Sequence, residues 1–187
     1  MKFVRMQNML WVIGVLVVLL LLRVPLEANI TRPESPQLTD LLSDASNEAL
    51  ELASDATEMQ SLISNDTNWV THALMLAKVK GHVDSMALII EKLSKAQKSG
   101  SELQEQAVEQ MLPLVKELSA NTTAAINYLN RNKGRPISDS YTQYLNMNAD
   151  TARQLSSIIT SLLEYQKSMA DIEKLRSKLV ASGASTP

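Results

Sequence analysis

Cysteine is absent from the 187 residues. Disulfides, thiolate nucleophiles and cysteine-bound metals are thereby excluded, and the absence fits an exported bacterial chain. Aromatic residues are scarce, with two Trp, four Tyr and one Phe, too few to interleave with basic residues as a nucleic-acid surface requires. Neither sign of charge dominates: 18 Lys and Arg stand against 20 Asp and Glu, a net charge of −2. No nucleic-acid partner is expected from so weak a field. Glycine and proline are also few, at five and six. No segment alternates apolar and polar residues at period two, so no sheet is expected. What is plentiful is Leu, Ala, Ser, Glu and Lys, the composition of a helical domain.

The one long apolar run is at the start. Residues 10–22 carry no charge, with Lys2 and Arg5 before them and Arg23 after. Taken strictly, the run has the length of a signal-peptide core, about a dozen residues. Counted from Met6 to Leu26, with Arg23 snorkelling outward, it reaches the roughly 20 residues that span a bilayer. Cleavage near Ala28 would place Leu26 at the −3 position, where a small residue is usual. The reading favoured is an uncleaved anchor over residues 1–26, with secretion after cleavage near Ala28 as the alternative. The basic residues ahead of the run put the N-terminus in the cytoplasm and the rest outside the bacterial inner membrane. Residues 27–37, with two prolines and no apolar period, read as a linker.

From residue 38 to residue 181 the apolar positions step by three and four, the seam of helices packed as a bundle. The first segment gives Leu38, Leu42, Ala45, Ala49, Leu52, Ala56, Met59 and Ile63. The second gives Leu76, Val79, Val83, Met86, Ile90 and Leu93, with His72 in the slot before. The third gives Val108, Met111, Val115, Leu118, Thr122, Ala125 and Leu129. The fourth runs from Tyr141 through Leu145, Asn148, Ala152, Leu155, Ile158 or Ile159, Leu162, Tyr165, Met169, Ile172 and Leu175 to Leu179. Turn and capping residues separate the segments at 64–68, 98–101 and 130–138, with Ser101 and Gln104 spaced as a capping box and Ser138 as a further cap. Loops this short make successive helices antiparallel neighbours. The expectation is an all-α protein: an antiparallel up-down four-helix bundle with a long fourth helix, preceded by an N-terminal transmembrane or signal helix. Residues 182–187 are expected to form a disordered tail.

Polar residues on the seam are the candidate site. His72, Thr122 and Asn148 replace apolar residues there, and Asn127 and Tyr141 fall within about two turns of them at the distal end. Buried polar groups need partners, so these five either form a register-fixing polar layer or line a small-ligand pocket. His72 could ligate haem or metal, but His82 falls near the opposite helix face and no Cys-x-x-Cys-His or Glu-x-x-His is present. No cofactor is therefore expected. Pro113 predicts a kink in the third helix, level with Met86, Ala45 and Ser156 and about a turn from Gly81. A second candidate is a partner interface. Ile172, Leu175 and Leu179 lie on the overhang of the fourth helix, beyond any bundle neighbour, and Arg131, Lys133 and Arg135 make the distal loop basic.

A short basic N-terminus, one anchor and an extracytoplasmic antiparallel four-helix bundle resemble the sensor half of bacterial chemoreceptors and sensor kinases. The likeness is one of architecture and rests on no diagnostic residue. It implies a small-ligand-binding sensory domain. Those receptors return through the membrane by a second apolar helix, and none follows the fourth segment within these residues. The leading expectation is instead a non-catalytic interaction or accessory module, anchored in the membrane by a single span, forming a homodimer or docking a membrane-protein partner.

Overall fold

The computed structural model describes residues 34–65, 68–134 and 137–182. The N-terminal anchor or signal helix, most of the linker, Arg135 and residues 183–187 lie outside the described residues. Among those described there is no strand. Four helices make up the domain: α1 (Pro36–Ser61), α2 (Trp69–Ala96), α3 (Glu102–Arg131) and α4 (Asp139–Ala181). Short 3-10 turns, Leu62–Asn65 and Gln97–Ser99, follow α1 and α2.

Each helix starts where local chemistry satisfies its first N–H groups. The Asn68 side chain accepts from the N–H groups of Val70 and Thr71 at 3.0 and 3.1 Å. Ser101 and Gln104 close the expected capping box at the head of α3. Ser138 accepts from Tyr141 N–H at 3.2 Å. Helix α1 begins two residues earlier than the linker boundary suggested, because Pro36 sits in its first turn, where a missing N–H costs nothing. The cap of α1 is supplied from elsewhere in the fold. Gln104 Oε1 accepts from the N–H groups of both Ser35 and Ser101, at 3.0 and 3.1 Å, while its Nε2 donates to Thr39 Oγ1 at 3.1 Å. One buried amide thus ties the starts of α1 and α3 together at the same end of the molecule.

The four helices pack in a ring. Helix α1 lies beside α2 and α4, and α3 closes the circle between them. Cross-helix bonds run in opposite residue order. Asp55 pairs with Lys78 and Glu48 with His82 across α1 and α2, while Gln60 pairs with Asn146 and Thr57 with Arg153 across α1 and α4. Neighbours are therefore antiparallel, as short connections require. Every apolar position expected in the second and third segments is buried, as are those of the first except Ile63, which is half-buried in the 3-10 turn.

Two expectations are corrected. Gly81, expected about a turn from the level of Met86, Ala45 and Ser156, takes no part in the core: it is exposed, and a β-carbon there would meet nothing within 4 Å. Pro113 is likewise exposed, within a helix that runs from Glu102 to Arg131. The Glu109 carbonyl that it cannot serve is on the outer side, where water can bond it. Tyr165 is not a core residue. The α4 seam goes from Leu162 to Gln166, which is buried, and leaves Tyr165 49% exposed. A helix at 3.6 residues per turn returns to the same face after a step of four as readily as of three, and here the step of four is taken.

Candidate functional site

At the end of the bundle where α2 and α4 begin, three rings meet. His72 and Tyr141 are each 0% exposed, and Tyr141 Oη lies 3.2 Å from His72 Nδ1. Tyr128, half-buried on α3, stacks on Tyr141 with centroids 5.6 Å apart. Burial lowers the His72 pKa and raises that of Tyr141. The pair is thus a neutral imidazole hydrogen-bonded to a phenol that keeps its proton.

About two turns deeper lie Thr122 and Asn148. The Tyr128–Tyr141 stack fixes the α3/α4 register and sets these two level with one another. They are 1% and 2% exposed, and Thr122 Oγ1 and both polar atoms of the Asn148 amide have no hydrogen-bond partner among the described residues. The structure therefore brings His72, Tyr141, Thr122 and Asn148 into the interior of one half of the bundle. It does not bring Asn127. That residue is exposed, because five positions beyond Thr122 is about 140° further round the helix. Its height was right and its direction was wrong.

The partner candidates separate in the same way. Residues 167–181 of α4, and Ser182 after it, are all exposed. Ile172, Leu175 and Leu179 are 57%, 60% and 58% exposed there, joined by Met169 and Val180. Arg131 and Lys133 are exposed at the opposite end of the bundle, but the Lys133 ammonium sits 4.8 Å over the Trp69 ring and is partly committed to it.

One cluster escaped the sequence. His82 presents Nδ1 to Glu48 at 2.6 Å and Nε2 to Asp55 at 3.0 Å, and Lys78 Nζ reaches Asp55 at 2.7 Å. Asp55 is only 5% exposed. The Lys78 amine is held above its ordinary pKa, first by the hydrogen bond it gives Asp55. These four groups clasp α1 to α2. The signal was available in the antiparallel register, which places residue 48 near 82 and residue 55 near 78, but apolar periodicity does not display it.

Among the described residues no three His, Asp or Glu side chains are placed to hold a metal ion. No described helix is long and apolar enough to cross a membrane. His72 and Tyr141 are sealed inside, so neither reaches a substrate in solution. What the surface offers instead is an apolar stripe on a helix that outruns its bundle. Compared with family models, with curated proteins and with solved structures, the chain matches none.

Proposed function

We propose that this chain is a non-catalytic interaction module, held at the outer face of a bacterial inner membrane by residues 1–26 and docking a protein through the α4 extension. The observation that carries this reading is the exposed stripe of Ile172, Leu175 and Leu179, on a helix that stays regular to Ala181 after its last buried residue, Gln166. A regular helix with a contiguous apolar face in water is a docking surface in wait of a partner. The chain enters the bundle at the end from which this extension projects, since Ser35 is bonded to Gln104 there. The test is made on the full-length chain expressed in a bacterial host. An intact mass in the inner-membrane fraction, with slowed amide exchange over residues 167–182, is the expected result. A soluble species beginning near Asn29 removes the tether and turns the reading to a diffusible binding protein. Free exchange over 167–182 removes the docking surface.

The second reading is a sensory domain that takes a small polar ligand between α3 and α4. It is supported by the unpartnered Thr122 hydroxyl and Asn148 amide, since buried polar groups are ordinarily bonded. A ligand-dependent rise in melting temperature that Asn148→Leu abolishes would establish it.

A further inference from the structure

The apolar stripe of the α4 extension is not the bundle seam carried onward. Within the bundle, the α4 seam Tyr141, Leu145, Asn148, Ala152, Leu155, Ile159, Leu162 and Gln166 keeps a strict four-three rhythm, with the smaller Ala149, Thr151 and Ser156 buried beside it. Continued, that rhythm falls on Met169, Glu173, Arg176 and Val180, two of them charged. The exposed stripe follows a second seam one residue earlier: Tyr165, Ser168, Ile172, Leu175 and Leu179. One residue is about 100° of rotation. The extension therefore turns its apolar face away from its own bundle axis, to a neighbour at the side.

We propose that this neighbour is a second copy of the chain, paired in parallel through α4. The proposal rests on the docking reading above and names its partner. Two sequence features select a second copy. In heptad terms Ile172 occupies an a position and Leu175 a d position, and a β-branched a with leucine at d favours two parallel strands. The flanking g and e positions are Asp171 and Arg176. In a parallel pair the g residue of one helix meets the e residue five positions on in the other, so Asp171 faces the second copy's Arg176, twice by symmetry. Of the remaining charged residues of the stretch, Lys167, Glu173 and Lys174 fall on the outer face, and Lys178 stands at the next g position beside the seam. An antiparallel pair would set Asp171 against Lys178 instead, so the charges alone leave direction open. The tether selects it. Two copies anchored in one membrane project α4 the same way, and confinement to the bilayer raises the effective concentration that a seam of only two heptads needs.

The test uses the absence of native cysteine. Full-length protein carrying either Ser168→Cys, on the seam, or Ser177→Cys, on the outer face, is oxidised in its membranes. Both serines are exposed and bond only back to their own helix, at Glu164 O and Lys174 O, so neither change disturbs the bundle. In the parallel pair two residues at 168 come within disulfide reach, whereas two at 177 stay well beyond the ~7 Å limit. The expected result is a covalent dimer with Ser168→Cys and about tenfold less with Ser177→Cys. Added to Ser168→Cys, Asp171→Arg should lower the yield several-fold, and Arg176→Asp on top should restore it. Equal cross-linking at both positions, none at 168, or a loss at Asp171→Arg that Arg176→Asp does not repair overturns the proposal. Amide exchange on the same membranes separates the two levels. Protection of 167–182 without cross-linking at 168 leaves docking in place with lipid or another protein as occupant, and no protection removes both.

Discussion

A phenol and an imidazole buried against one another must divide one proton between them, and in this protein the division is set by burial. His72 is pushed below its ordinary value of 6.5 by loss of solvent, and Tyr141 is pushed up for the same reason. The neutral ring is then hydrogen-bonded through Nδ1 to the tyrosine hydroxyl. The consequence for stability has a definite sign. Below pH 6.5 the unfolded chain binds a proton at His72 that the folded chain resists, so folding loses ground as pH falls from 6.5 toward the lowered folded value. Above 6.5 this contribution is fully present. The stability advantage of wild type over His72→Gln, read by urea unfolding, is accordingly larger at pH 7.5 than at pH 5. Charges elsewhere cancel in that difference, and a pH-independent gap would show that the ring is not held neutral. Asn148 makes the complementary case. Both polar atoms of its amide are buried without a partner, and removing such an orphan in favour of an apolar side chain of similar volume relieves about 1–3 kcal/mol. Asn148→Leu is therefore expected to raise the unfolding free energy by that order. A loss instead would mean that the amide is bonded in solution, the outcome that the sensory reading requires.

At the scale of helices and turns, two glycines with opposite surroundings make opposite forecasts. A β-carbon added at Gly100 would come within 2.7 Å of Gln104 Oε1 and closer still to Leu38 Cδ1. The first is the oxygen that caps both α1 and α3, and Leu38 is 0% exposed, so neither atom can withdraw cheaply. Gly100→Ala should destabilise the bundle by about 1–3 kcal/mol. Gly81 lies in mid-helix on an open face, and Gly81→Ala should stabilise it by about 0.5–1 kcal/mol. Thermal melts of the two variants check both signs in one experiment. These elements also show what periodicity can carry. The α2 seam from His72 to Leu93, the capping box at Ser101 and Gln104, and the overhang beyond Leu162 were all legible, because each depends on spacing along one chain. The second role of Gln104, gripping Ser35 and Thr39, was not, and neither was the clasp of Glu48, Asp55, Lys78 and His82. Both depend on which residue of another helix stands opposite. Asn127 and Tyr165 were misplaced for a related reason: height along a helix and direction around it are separate coordinates, and a step of three or four leaves the second open.

For the molecule as a whole, the arrangement divides stability from association. The core ends at Leu162 and Gln166, and everything from residue 167 to 182 is exposed. A segment that buries nothing in its own domain contributes little to holding that domain together, and surface changes away from packed features usually stay within about 0.5 kcal/mol. Deleting residues 168–187 should thus leave the melting temperature of the detergent-solubilised protein nearly unchanged at high dilution, where the chain is a monomer. The same deletion should abolish self-association. Because binding to the folded state stabilises it by mass action, the full-length protein should melt higher as its concentration rises, while the truncated one should melt at a single temperature throughout. If truncation lowers the melt at every concentration, the extension is packed against the bundle. If both proteins show the same concentration dependence, association lies on another face, and the stripe of Ile172, Leu175 and Leu179 is not where the chain meets its partner.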